Sequence, residues 1–131
     1  MNASTENDFD AVFAKLVQLG ARGLVIGPDP FFISRKEQLA ELAIRHLLPA
    51  VFEGREFAAA GGLISYGGNS ADSYHLAGTY TGRILKGDKP ADLPVQQATT
   101  KVELVINLKT AKALGIDVPN ALIGRADEVI E

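Results

Sequence analysis

The chain has 131 residues, of which 47% are hydrophobic, and its 16 acidic and 13 basic side chains give a net charge of -3. This length fits one domain with a real core, and a high apolar content with a low net charge excludes a disordered chain. The absence of cysteine excludes disulfides, thiolate metal sites and a cysteine nucleophile, and the acidic balance argues against a nucleic-acid binder.

The sequence contains no recognisable membrane or export segment. No apolar run approaches the roughly 20 residues that a membrane-spanning helix needs. The first eight residues are polar and lack the basic and apolar regions of a signal peptide. The residues alone therefore predict a soluble chain without an export signal.

The first half of the chain alternates helices with short apolar strands. Apolar residues at helical spacing predict a first helix that ends at Gly20. Residues 23–27 form an apolar run bounded by glycines, which predicts a buried strand. Residues 34–37 match a capping box and predict a second helix that ends near His46. Residues 49–52 predict another short strand, and a polar turn follows.

The second half repeats this pattern. Residues 61–66 predict a third strand, and Asn69 is typical of an N-cap for a helix that Gly87 ends. The apolar side chains of this helix, from Tyr74 to Leu85, are expected to line one face. The remaining elements are predicted as follows: a strand over residues 102–106, a short helix capped by Asn107, a helical turn within residues 119–126, and a terminal strand at residues 129–130.

This alternation predicts an α/β fold, a Rossmann- or flavodoxin-like parallel sheet with helices on both faces and right-handed crossovers. The rhythm changes between Pro90 and Pro94, which is the one candidate boundary. A strand and helix that swing away from the main sheet would follow it.

Ligands of open α/β sheets bind at the carboxyl ends of the strands, where loops and helix N-termini meet. That rule selects residues 29–32, 52–53 and 65–69. A helix N-terminus attracts a carboxylate or phosphate, and aromatic rings contact an apolar or planar ligand body. The pattern therefore predicts a site for a small amphipathic molecule. The candidate ligand-binding residues are Asp29, Phe31, Phe52, Ser65, Tyr66 and Asn69.

Structural explanations stand beside this prediction. Phe31 and Phe32 fit equally well as side chains that close the core beneath the loop. Asp29 fits equally well as the residue that shapes a Pro-Asp-Pro turn. Gly67 and Gly68 match neither the dinucleotide fingerprint nor the P-loop, so nucleotide binding has little support.

Catalytic and metal sites find no support in the pattern. His46 and His75 each lie in a predicted helix without a second ligand, which favours structural roles. Glu53 and Glu56 could pair for acid–base work, but no nucleophile or oriented base accompanies them and an arginine separates them. Ser65 lacks the glycine context of a nucleophile elbow. We therefore expect a protein that is not an enzyme and that needs neither a metal nor a cofactor.

An ordered set of motifs resembles one family over residues 2–131. The chain is similar to ABC-transporter substrate-binding proteins, whose better-known relatives are tryptophan- and tyrosine-type receptors. The motifs that carry the resemblance are GGLISYG at residues 61–67, GRILKG at 82–87, PADLPV at 90–95, ELVINLKTAKALG at 103–115 and RADEVIE at 125–131.

The resemblance implies a receptor of two lobes, each of the type I periplasmic-binding-protein kind, that closes on a solute. By position this chain corresponds to the C-terminal lobe alone. Residues 1–92 would form the ligand-binding lobe, and residues 93–131 a hinge-crossover strand and a C-terminal segment packed on the same domain. Asp29 falls on the aspartate that faces the cleft, in a Pro-Asp-Pro-Phe context where amino-acid-binding relatives more often have Asp-Asn. Ser65, Tyr66 and Asn69 fall on the loop of the next unit.

The resemblance also implies partners and location: a small-molecule solute, an ABC permease driven by an ATPase, and a periplasmic or membrane-anchored protein. The chain is less than half of such a receptor, which is expected of a fragment or a truncated gene. The absence of a leader motivates an alternative, a cytoplasmic regulatory or interaction module that uses the same lobe. Either form could self-associate through an exposed lobe surface as a homodimer. The identity of the solute and the oligomeric state stay open.

Overall fold

The computed structural model describes residues 6–95 and 101–131, which form an α/β fold around a five-stranded sheet. A short 3-10 helix, Pro90–Asp92, follows the longest helix. The elements in chain order are α1 (Glu6–Gln18), β1 (Leu24–Val25), α2 (Pro30–Ser34), α3 (Lys36–Arg45), β2 (Ala50–Phe52), α4 (Arg55–Ala59), β3 (Ile64–Gly68), α5 (Ser70–Leu85), β4 (Val102–Asn107), α6 (Leu108–Ala113), α7 (Asn120–Ile123) and β5 (Glu128–Ile130).

The strands stand in the order of the chain, β1-β2-β3-β4-β5. The β1–β2, β2–β3 and β4–β5 pairs are parallel. Next to β3, the backbone N–H of Asn107 donates to the carbonyl of Leu63 at 2.9 Å. The predicted α/β class is confirmed, and each of the five predicted strands is present.

The chain divides into two compact units. The described residues of Met1–Gly67 and Glu103–Glu131 form unit one, which contains the body of the sheet. Those of Gly68–Val102 form unit two, which consists mainly of α5 and the 3-10 helix. In unit two the hydroxyl of Tyr80 donates to the carbonyl of Pro94 at 2.6 Å.

A first hydrophobic cluster packs α1, α3 and α4 of unit one against β1 and β2. Phe9 and Phe13 are four residues apart on α1, so they share one helix face and both are buried there. Helix α3 supplies four buried residues within two turns, as its apolar spacing predicts. The buried members are Phe9, Phe13, Ile26, Leu39, Ala40, Leu42, Ala43, Leu48, Ala50, Phe52 and Phe57.

A second cluster joins β3, β4 and α6 and has Leu63, Ile106, Ala111 and Val118 as its buried members. A small polar group lies in the interior of the same unit. The buried side chain of Asn107 accepts from the backbone N–H of Thr110 at 3.1 Å, which caps α6 as predicted.

The Asn107 amide also donates to the carbonyl of Ala58 at 3.0 Å, and the Thr110 hydroxyl donates to the carbonyl of Gly61 at 2.8 Å. These bonds connect the end of α4 to the start of α6, and they satisfy polar groups that burial would otherwise leave unpaired.

Several predicted helix ends are confirmed and one start is wrong. Gly20 and Gly87 follow α1 and α5 with φ of 73° and 112°, values that favour glycine. The predicted capping box is wrong, because Pro30 already starts α2 and the Ser34 hydroxyl donates back to the Phe31 carbonyl at 2.7 Å. Its expected partner Glu37 bonds to its own backbone instead, and this bond, with a smaller effect of the neighbouring lysine, lowers the pKa of the carboxyl.

Two further expectations change. Residues 53–56, expected as a polar turn, contain the start of α4, whose Phe57 and Ala58 are fully buried. The expected apolar face of α5 buries no residue completely, and Tyr74 and Leu85 are largely exposed.

Candidate functional site

The carboxyl ends of β1, β2 and β3 lie along one edge of the sheet, since the three strands are parallel. The register pairs Val25 with Val51 and Phe52 with Ser65. The candidate residues of unit one lie on these strands or just after them. Phe52 ends β2, Ser65 and Tyr66 lie within β3, and Asp29 and Phe31 follow β1. This is the edge at which open α/β sheets bind their ligands.

The ends of β2 and β3 touch through a glycine. A Cβ on Gly67 would lie 2.3 Å from the carbonyl oxygen of Glu53, so a larger residue would displace the backbone after β2. At the start of the same motif, a Cβ on Gly62 would lie 2.2 Å from the ring of Phe57. Gly67 therefore holds the backbone next to Tyr66 against the backbone after β2 at this edge, and Gly62 packs against Phe57 at the other end of β3.

Ser65 and Tyr66 occupy opposite environments on β3. Successive side chains of a strand point to opposite faces of the sheet. Ser65 is 1% exposed, and its hydroxyl has no hydrogen-bond partner among residues 6–95 and 101–131. Tyr66 is 60% exposed. Of the two, only the tyrosine ring is accessible to a ligand from solvent in this structure.

Asp29 serves as the N-cap of α2. Its Oδ1 accepts from the backbone N–H of Phe31 at 2.8 Å, and Pro30 occupies the first helical position. The residue is exposed, so the carboxylate both shapes the turn and stays open to solvent. The turn-forming explanation is thus present in the structure, and a ligand contact at the same carboxylate stays a prediction.

The two candidate phenylalanines belong to the core to different degrees. The half-buried ring of Phe31 lies 5.4 Å from that of Phe9 and 5.8 Å from that of Phe32. Phe52 is 3% exposed, and its ring meets that of Phe57 edge-on at 5.5 Å. Phe31 keeps part of its surface exposed, whereas Phe52 belongs to the core beneath the edge, and a ligand contact at either ring stays a prediction.

Asn69 lies at the start of unit two, where it caps α5. Its side-chain oxygen accepts from the backbone N–H of Ala71 at 2.9 Å, which confirms the predicted N-cap. The 16-residue helix behind it directs the positive end of its dipole to this point.

Sequence reasoning missed a long-range ion pair near the edge. Nε and Nη2 of Arg55 donate to the two carboxylate oxygens of Glu128 at 2.8 and 2.7 Å, a two-pronged contact between the start of α4 and β5. In the sequence, Arg55 stands between Glu53 and Glu56. Since the partner is 73 residues away, no local spacing could have indicated the pair.

Two other kinds of site do not occur in the part of the chain that the structure describes. There, no group of three or more histidine, aspartate or glutamate side chains comes together as metal ligands. None of the described helices is both long and apolar enough to span a membrane.

The family described as ABC transporter substrate binding protein matches residues 1–130. The chain belongs to this family. The resemblance predicted from the sequence motifs is therefore confirmed. The family consists of solute-binding proteins rather than enzymes, which agrees with the lack of a catalytic pattern in the sequence.

Solved structures support the same fold. A conserved domain protein from Vibrio cholerae superposes with a TM-score of 0.87 at 23% identity, over 98% of this chain and 43% of that one. The ABC domain of a Streptococcus pneumonia protein in complex with L-Trp gives 0.81 at 25% identity, over 95% and 42%. A ligand-free, open substrate binding protein with adhesive properties from Clostridium difficile gives 0.68 at 21% identity, over 99% and 43%.

The chain spans less than half the length of these solved relatives. The chain has no significant match among the curated proteins. The fold of a substrate-binding domain is thus shown.

Proposed function

We propose that the chain forms one wall of a solute-binding cleft in a substrate-binding protein that serves an ABC importer. The observation that carries the proposal is the exposed ring of Tyr66 in β3, one residue beyond the last pair with β2 and beside a backbone that Gly67 holds against Glu53. A binding side chain on a fixed scaffold loses little conformational freedom when it contacts a ligand. The opposite wall would come from the remaining length of a receptor the size of the solved relatives.

The ligand would be a small amphipathic molecule. The Tyr66 ring offers stacking to a planar or apolar body, and the exposed Asp29 carboxylate offers an acceptor for a cationic group such as an ammonium. Phe31 would add apolar contact, and Asn69 remains a candidate in unit two. The Streptococcus relative that holds L-Trp makes aromatic amino acids the first class to test.

In this function the protein would act outside the cytoplasm, in the periplasm or anchored to the membrane, and would deliver its solute to a permease. Family membership supports this assignment. The alternative is a cytoplasmic regulatory or interaction module on the same fold. It differs in one measurable property, because such a module need not bind a solute at the carboxyl ends of β1, β2 and β3.

A titration of the isotope-labelled 131-residue chain with L-tryptophan, followed by backbone amide NMR, tests the proposal. We expect weak binding, because one wall supplies only part of the contacts, with shifts confined to residues 27–31, 53–54 and 65–67. Small aromatic acids and L-tyrosine extend the panel. If none of these solutes moves an amide at this edge, the interaction module becomes the better assignment.

A matched pair of variants sharpens the titration. Tyr66→Ala should abolish the shifts, because it removes the exposed ring from the edge. Tyr74→Ala removes another exposed tyrosine, from α5 in unit two, and should leave them unchanged. Equal binding by the two variants would contradict the role of Tyr66.

A further inference from the structure

The outer edge of β1 has no neighbouring strand in the described parts of the chain, since β1 stands at the end of the sheet order. On the inner side, Leu24 donates to the Pro49 carbonyl at 2.8 Å and Ile26 donates to the Val51 carbonyl at 2.9 Å. Alternate residues of a strand direct their backbone N–H and C=O groups to opposite sides. Those of Val25 therefore point away from β2. Its side chain is 81% exposed, and an open edge of this kind is a template for another strand.

The glycines on either side of Val25 leave that edge free of side chains. A Cβ on Gly27 would meet nothing within 4 Å, and one on Gly23 would meet only the Pro49 carbonyl, at 3.7 Å. Neither glycine has a positive φ. The packing and backbone of this chain therefore require glycine at neither position, whereas the approach of a second backbone would favour it at both.

The segment is also complementary to itself. Residues 23–27 read Gly-Leu-Val-Ile-Gly, which is nearly symmetric about Val25. If two copies pair antiparallel about a two-fold axis at Val25, each glycine faces a glycine and each Leu24 faces an Ile26. The two Val25 residues then exchange a pair of N–H···O bonds.

Charge and apolar surface fit the same arrangement. Arg22 and Asp29 are exposed near the two ends of the segment, and the two-fold sets the Arg22 of each copy opposite Pro28 of the other, one residue from the oppositely charged Asp29. An apolar groove of about 180 Å³ opens along β1, and a second copy would shield it from water. Its lining residues include Phe9, Val12, Leu16 and Val25.

We propose that β1 pairs with β1 of a second copy of this chain, so that two five-stranded sheets become one continuous sheet across a two-fold axis. The occupant is a second copy rather than a foreign strand, because an isologous interface requires a surface complementary to itself and residues 23–27 provide one. The pairing uses the side of β1 and does not depend on solute binding at Tyr66, so a failed ligand titration would leave it standing.

A single introduced cysteine tests the register. The chain has no cysteine of its own. Facing residues of a hydrogen-bonded antiparallel pair have Cα atoms about 5.5 Å apart, within the range that a disulfide spans. Val25→Cys should therefore cross-link at least about tenfold faster on mild oxidation than Leu85→Cys, whose site is equally exposed but lies on α5. Equal rates for the two variants would overturn the proposal.

Light scattering then measures the assembly without a cross-link. The wild-type chain should approach twice the mass of one 13.9 kDa chain, and Val25→Lys should reduce it to a monomer because two like charges meet at the axis. Leu85→Lys should stay dimeric, and circular dichroism should show both variants folded. A monomeric wild type at millimolar concentration, or a dimer that persists in Val25→Lys, would refute the pairing.

Discussion

The sheet contains two glycine-flanked strands, β1 and β3, that use their glycines for different purposes. At β3 the glycines are required by internal packing, because a Cβ would meet the Phe57 ring at 2.2 Å or the Glu53 carbonyl at 2.3 Å. At β1 the corresponding positions, Gly23 and Gly27, have room for a side chain. Glycines on either side of a strand thus accompany close internal packing at β3 and an unoccupied outer edge at β1.

Alanine substitutions at Gly67 and at Gly27 should give the largest difference in the free energy of unfolding. Gly67→Ala should destabilise the fold by about 3 kcal/mol, the upper end of overpacking costs, since its Cβ meets backbone that cannot rotate away. Gly27→Ala should change stability by less than about 1 kcal/mol, because its Cβ meets nothing. Urea unfolding of both variants in the Val25→Lys background, which removes self-association, measures the difference. Equal costs would remove the distinction between the two strands.

A second contrast compares the two asparagine caps. Asn107→Ala should cost about 2 kcal/mol, because it removes the cap of α6 and the shorter of the two hydrogen bonds to the buried carbonyl of Ala58, which keeps only the Gly61 N–H at 3.2 Å. Asn69→Ala removes a cap alone and should cost about 1 kcal/mol. Denaturant midpoints at constant m-value give both numbers. A larger effect at Asn69 would mean that the buried Asn107 amide adds little to the connection between α4 and α6.

The smallest expected effect on stability is at Ser65 in β3. Because its buried hydroxyl lacks a hydrogen-bond partner among the described residues, Ser65→Ala should be neutral or stabilise by up to about 1 kcal/mol. Ser65→Val serves as the control and should destabilise, since added methyl groups enter a filled site. Thermal unfolding of the two variants and of the wild-type chain measures both changes in stability. A clear loss of stability in Ser65→Ala would reveal a bond to the hydroxyl that the described residues do not supply.

The parts of the fold that sequence could predict are those set by local chemistry. The five strands appear as apolar runs, and Asn69 and Asn107 cap their helices because a cap needs only residues two or three positions away. The predicted capping box failed for a local reason too, since Asp29 and Pro30 start a helix earlier and leave Ser34 at its end. Helix α4 was missed because five residues are too few for a periodic pattern.

The site was less predictable, because accessibility depends on contacts between distant segments. Asp29, Ser65 and Tyr66 were selected by one rule about strand ends, yet only two of them are exposed. Ser65 and Phe52 face each other in the β2–β3 register and are both buried by it. Nothing in the residue types of Ser65 and Tyr66 indicates which of them reaches solvent, because a shift of register by one residue would exchange them.

The two-pronged contact between Arg55 and Glu128 has a consequence for how the molecule opens. β5 is a three-residue strand at the far end of the sheet, and its residues are only partly buried. Much of its attachment to α4 is therefore electrostatic, and salt weakens such contacts more than it weakens the phenylalanine core. Hydrogen exchange at rising ionic strength should accordingly accelerate first at residues 128–130, as a local unfolding unit that detaches while α1, α3 and α4 stay protected.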